Sequence, residues 1–335
     1  MTPELAVLER LLDATSRHGV VDLLVHAEGD GVRLPVHGAR FGTADPAAPA
    51  LIVVGGVHGL ERIGTEVALA FLTTFLARLA WDELLVESLR RCRLCFVPLV
   101  NPVGMVLRRR ANGRGVDLMR NAPPHPDGWG TPLVGGQRIS PRLPWYMGAA
   151  GAPMQPEAAA LLAYVETHSA GSSLTITLDC HSGFGMVDRL WFPWARTRRP
   201  LPHLAEIYAL KQLLDQTLPN HVYRMEPTAR SYTIRGDLWD HAYDRRVVGG
   251  GGTLLPLTLE MGSWTWVKKN PAQVLSLLGG FNPIKPHRLR RTLRRHLPLF
   301  DLLLRATVSA RGWAFPDPAR RAALDAAGFA EWFAA

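Results

Sequence analysis

Ala50-Leu51-Ile52-Val53-Val54-Gly55-Gly56-Val57-His58-Gly59-Leu60-Glu61 decides how this chain folds. Residues 50–57 form a continuous apolar run, which suits a strand covered on both faces. The pair Gly55-Gly56 lies near its end, and Arg62–Leu79 then has helical periodicity. Strand, loop and helix in that order make a β–α unit of a mainly parallel sheet. The pattern recurs along the chain. Arg93–Val100, Leu174–Asp179 and Leu254–Met261 read as further buried strands, and 156–169 and 203–217 as helices. Gln155-Pro156-Glu157 opens the first of these helices, with proline in the first turn and an acid at the positive helix end. Upstream, 4–15 reads as an amphipathic helix. Val21–His26 and Val32–Gly42 form a hairpin turning at Glu28-Gly29-Asp30-Gly31. Residues 286–335 read as two closing helices. The expectation is an α/β fold, a three-layer α/β/α sandwich around a mixed, mainly parallel twisted sheet. One domain is expected over 1–335, with an N-terminal helix and hairpin (1–45), a core (46–284) and C-terminal helices (285–335).

Composition narrows the partners. The 335 residues are 47% hydrophobic, enough for a large core, yet no stretch reaches the roughly 18 consecutive apolar residues of a membrane span. No membrane partner is expected. The start lacks a basic leader region, and the three cysteines suit a reducing compartment, so a cytoplasmic location is expected. Net charge is +9, but only four of the 38 basic residues are lysine, an arginine bias that does not read as a nucleic-acid footprint. The densest basic run, Lys285–His296, carries Leu289, Leu293 and Leu297 at helical spacing and reads as a solvated face. An acidic partner is the alternative.

The chemistry gathers at strand ends. His58 and Glu61, three apart, reach one ion if the loop makes a helical turn. His181 ends a strand in Asp179-Cys180-His181-Ser182, and Asp179 is placed to fix its tautomer. Glu260 ends another strand as a spare carboxylate. Two imidazoles, a ligating carboxylate and a second carboxylate are the parts of a hydrolytic zinc centre, with one Zn2+ per chain. Cys92 and Cys95 read as core thiols, and Cys180 as facing away from His181. Gly249–Gly252 reads as a flexible loop near the site. Trp264 and Trp266 read as core, or as pocket lining. Residues 122–154 form an irregular loop long enough to be functional.

The ordered motifs resemble the M14 family of zinc carboxypeptidases over roughly residues 50 to 265. The family's His-x-x-Glu is His58 and Glu61. Its Asn-Pro-x-Gly is Asn101-Pro102-Val103-Gly104. Its Gly-Val-Asp-Leu-Asn-Arg-Asn is Gly115-Val116-Asp117-Leu118-Met119-Arg120-Asn121. Met154-Gln155-Pro156-Glu157 and Asp179-Cys180-His181-Ser182 follow, and Glu260 stands at the catalytic glutamate. Tyr232, Gly236, Trp239 and Asp240 keep the spacing of the family's substrate-capping tyrosine, glycine, specificity position and aspartate. The resemblance implies zinc on His58, Glu61 and His181, with Glu260 as general base and acid. Arg110, nine residues before Met119, is implied as the oxyanion-stabilising group, with Arg108 and Arg109 as rivals. Arg120 is implied to grip the substrate carboxylate, flanked by Met119 and Asn121. Met119 stands where the family has a donating asparagine.

The implied activity is hydrolysis of a C-terminal peptide or amide bond. The alternative is zinc-dependent deacylation of N-acyl amino acids, as in the aspartoacylase and succinylglutamate desuccinylase relatives. A non-catalytic binding protein on the same scaffold is a further alternative. The expected partner is a peptide or N-acyl amino acid with a free carboxylate, and no nucleic acid.

Overall fold

The apolar run at Ala50 lies inside an eight-stranded sheet. The computed structural model describes residues 2–126 and 128–334. The strands are β1 (Val20–Gly29), β2 (Val32–Gly42), β3 (Ala50–Gly55), β4 (Arg93–Val97), β5 (Leu174–Ser182), β6 (Arg189–Phe192), β7 (Arg224–Pro227) and β8 (Thr253–Met261). They run in the order β1-β2-β4-β3-β5-β8-β6-β7. The central four, β4-β3-β5-β8, are parallel. The hairpin β1-β2 joins β4 antiparallel at one side, and β6 joins β8 antiparallel at the other. The mixed sheet is as expected, with a parallel centre and a further parallel pair, β6-β7, at one edge.

Side-chain alternation on β3 explains the layers. Leu51 and Val53 face one core with α2 (Arg62–Arg78), and Ile52 and Val54 face the other. The first core also takes in Leu210 of α6 (Leu204–Thr217), Phe300 of α9 (Pro286–Val308) and Trp332 of α10 (Pro318–Trp332). The second takes in Leu161 of α5 (Pro156–Ser169) and Trp239 of α7 (Leu238–Val248). Helices thus cover both faces of the sheet. The remaining α-helices are α1 (Pro3–Thr15), α3 (Glu83–Leu89), α4 (Pro102–Val106) and α8 (Trp264–Lys269). No single described helix is long and apolar enough to cross a membrane.

Several expectations shift. The strand expected to reach Val100 stops at Val97, because Asn101 turns the chain by accepting from Gly104 N to cap α4. β6 and β7, four residues each, are too short to show a period. In α7 the charges at Asp240, Asp244, Arg245 and Arg246 mask the stripe of Leu238, Trp239 and Tyr243. The Gly249–Gly252 run is not near the candidate site. It leads into the amino end of β8, against Ser172 and Ser173, at the opposite edge of the sheet. Cys92, Cys95 and Cys180 are free and buried, as expected. Trp266 is buried, whereas Trp264 is 56% exposed.

Candidate metal and catalytic site

Three separate segments converge beyond the carboxyl ends of β3, β5 and β8, the edge where open α/β sheets bind ligands. After β3 the chain turns at Gly56, whose φ of 63° favours glycine. The His58–Glu61 turn closes with Glu61 N donating to His58 O at 3.1 Å. It sets both side chains to one side, Glu61 standing at the N-cap of α2. His181 comes from β5.

The donor atoms crowd around a point. His58 Nδ1 lies 2.8 Å from Glu61 Oε1, and His181 Nδ1 lies 3.0 Å from Glu61 Oε2. The two Nδ1 atoms are 3.1 Å apart. All three side chains are buried, with their ligand atoms within 4.8 Å of one another. Each imidazole turns its other nitrogen to a carboxylate. His58 Nε2 donates to Asp117 Oδ1 at 3.0 Å, and His181 Nε2 donates to Asp179 Oδ2 at 2.7 Å. Carboxylates only accept, so these pairings place the proton on Nε2 in each neutral ring. Both Nδ1 lone pairs then face each other and a carboxylate, an arrangement that needs a cation. Nitrogen, nitrogen and carboxylate oxygen are donors that suit zinc, and three protein ligands leave a position open.

Electrostatics agree with that reading. Burial alone would raise the Glu61 carboxyl, but His58, His181 and Arg110 outweigh it and hold it well below the usual range. Burial opposes protonation of His181, yet Asp179 and Glu61 prevail and raise its imidazole well above the ordinary value. Glu260 goes the other way. Burial, followed by the nearby Glu61 charge, pushes it up to about 8 against His181, Arg110 and a hydrogen bond from Phe184 N.

A cavity of about 820 Å3 opens over this cluster, lined by His58, Glu61, His181 and Glu260. Of the three candidate arginines, Arg110 is turned inward. It donates from Nε to Asp117 Oδ2 at 2.9 Å and from Nη1 to Glu61 Oε1 at 2.7 Å. Arg109 instead pairs with Asp30 in solvent, and Arg108 lines the cavity from an exposed position. Tyr232 lines the cavity beside Phe184 and Trp191.

Substrate-side expectations fare unevenly. Arg120 lines the cavity but is 2% exposed, and its Nε and Nη2 both donate to Val134 O, at 3.1 and 3.0 Å. An open two-pronged grip is therefore not preformed. Met119 is buried at the wall. Asn121 does not line the cavity. Its Nδ2 donates to Met147 O, and its Oδ1 accepts from Gln155 N, tying the long loop to α5. Trp239 lines the cavity, but its indole Nε1 donates to Asp179 Oδ2 at 2.8 Å, so it also props the carboxylate behind His181. Sequence reasoning missed Asp117 as the partner of His58. It lies inside the quoted Gly-Val-Asp motif, but nothing local links it to a histidine 59 residues away.

The zinc carboxypeptidase family model matches residues 29–264. The chain belongs to the M14 zinc carboxypeptidase family. Its fold is shared with carboxypeptidase A from Helicoverpa armigera, with a TM-score of 0.66 and 17% identity over 91% of this chain and 72% of that one. Bovine thrombin-activatable fibrinolysis inhibitor, solved with a tick carboxypeptidase inhibitor, matches with a TM-score of 0.65 and 16% identity, covering 92% and 96%. A metallo-carboxypeptidase from Burkholderia cenocepacia matches at 0.56 and 15%, covering 91% and 68%. Among curated proteins, carboxypeptidase SOL1 of Arabidopsis thaliana is 34% identical over 77 residues, which span 23% of this chain and 16% of that protein's length.

Proposed function

We propose that this family member is a zinc-dependent carboxypeptidase that hydrolyses a C-terminal peptide or amide bond. The observation that carries the reading is the pair of inward Nδ1 atoms meeting the Glu61 carboxylate, with Glu260 paired in register with His181 on the adjacent strand. His58, Glu61 and His181 would hold the metal. Bound zinc would supply Lewis acidity to the scissile carbonyl and to the attacking water.

The chain's own residues do the rest. Glu260 takes the proton of the attacking water and returns it to the departing amine. Burial and a neighbouring negative charge make this carboxylate more basic than an exposed glutamate. Arg110 offers its guanidinium to the charge that develops on the carbonyl oxygen, while Asp117 fixes its orientation. Tyr232 closes over the bound end of the substrate.

Deacylation of N-acyl amino acids is the second reading, because the substrate-side residues do not single out a peptide. Met119 supplies no donor, and Arg120 is committed to Val134 O. Recognition of an ordinary terminal carboxylate thus lacks a preformed grip. A panel of dansyl-peptides and N-acyl amino acids, assayed with zinc-loaded protein, separates the two. Peptide turnover supports the first reading, and turnover of N-acyl amino acids alone replaces it. Glu260→Gln should lower kcat by roughly 10²–10⁴-fold while zinc stoichiometry is kept. Unchanged turnover removes Glu260 from the reaction.

A further inference from the structure

Two segments that line the cavity carry no acidic residue: 128–156 and 261–300. Both expose apolar side chains. Leu143, at 45% exposure, and Leu277, at 66%, each line the cavity and face solvent. Around them protrude Ile139, 74% exposed, Leu275, 91%, and Trp264, 56%. These side chains sit on bends and short helices at and beside the cavity wall.

Basic groups border the same surface. Arg288 donates to Trp266 O and Lys269 O, which fastens the first turn of α9 to α8. Lys268, Lys269, Arg290, Arg291 and Arg294 are exposed in that region, and none is ion-paired among the described residues. Arg142 adds an exposed cation at the cavity wall. Exposed cations and exposed apolar side chains thus occur together on the segments that line the cavity and on the α8–α9 junction beside them.

We infer that this rim docks on an anionic lipid bilayer surface. Protruding leucine, isoleucine and tryptophan side chains enter a fluid interface without needing matching pockets. Unpaired lysine and arginine beside them meet lipid phosphates. A folded protein partner would need a complementary concave face for the same tips. The expectation of no membrane partner rested on the lack of a spanning segment, which does not bear on a docking face. The inference is independent of which bond the cleft hydrolyses.

The test is sedimentation of the full chain with phosphatidylcholine vesicles, with and without phosphatidylglycerol. The expected result is binding to the anionic vesicles alone, weakened by high salt, with a blue shift of tryptophan emission. Lys268→Glu with Lys269→Glu, and separately Ile139→Asp with Leu275→Asp, should each weaken partitioning by about tenfold or more. Phe329→Asp on α10 should bind as the parent does. Circular dichroism and zinc content check that the variants are folded. No binding to anionic vesicles at low salt overturns the inference. So does equal binding by the rim variants, or retention on poly-glutamate without vesicle binding, which would mark an acidic polypeptide as the partner.

Discussion

Trp239 and Asp179 are joined by an indole N–H that donates at 2.8 Å to the same carboxylate oxygen that accepts from His181 Nε2. Asp179 is fully buried, and its other oxygen finds no protein partner among the described residues. The tautomer and aim of His181 thus depend on a residue in α7, outside the ligand set.

Removing that support should weaken the metal site. Asp179→Asn is expected to lower zinc affinity roughly 10–100-fold, and Trp239→Phe by the lower end of that range. Competition with a chromophoric chelator measures it. Unchanged affinity in Trp239→Phe would show that the indole only fills space.

Zinc affinity should rise with pH. Against the effect of burial, Asp179 and Glu61 raise the His181 pKa well above its ordinary value, so the metal-free site keeps a proton that zinc must displace. Lower pH favours the protonated site, and higher pH favours the metal. Titration calorimetry in buffers of different ionisation enthalpy should detect proton release on binding. Heats independent of the buffer would contradict it.

Glu66 offers a stability test away from the site. Burial, then the nearby Glu4 charge, pushes its carboxyl up to about 7 against Arg62. The folded pKa is raised, so the proton binds the native state more tightly. The stabilising contribution is complete below the unfolded value near ~4.3 and disappears as pH rises through about 7. Glu66→Gln should therefore raise stability by roughly 1–3 kcal/mol at pH 8 and by little at pH 4.5. Urea unfolding at both pH values decides it; equal effects would mean the charge is not responsible.

Close approach of helix to strand is a further test. A Cβ on Gly64 in α2 would lie 2.1 Å from Cys180 O, so the helix cannot carry a side chain there. Gly64→Ala is expected to push α2 from β5, parting Glu61 from His181, at a cost of about 1–3 kcal/mol and with weaker zinc binding. Parental thermal stability together with parental zinc affinity would refute this.

Much of the architecture was readable from order and period alone. The apolar run Ala50–Gly55 encodes a strand covered on both faces, whereas Leu174–Ser182 carries a period of two, with Leu174, Ile176, Leu178 and Cys180 alternating with Thr175, Thr177, Asp179 and His181. The helices at 62–78 and 156–169 announced themselves likewise. α7, by contrast, is not legible by period, because its stripe is broken by charge. Asn121 reads as a substrate contact from its neighbours in a motif, but its amide is spent on Met147 and Gln155.

The sequence by itself determined the α/β class and nominated His58, Glu61, His181 and Glu260, since each stands at or just beyond the carboxyl end of a strand legible from composition or from a period of two. Only the tertiary structure decided their supporting partners: Asp117 behind His58, Asp179 and Trp239 behind His181, and Val134 O on Arg120. Periodicity acts over a few residues and leaves its mark in the chain. A hydrogen bond across 59 or 60 residues depends on the paths of the intervening loops, and neither residue type nor spacing encodes those paths locally.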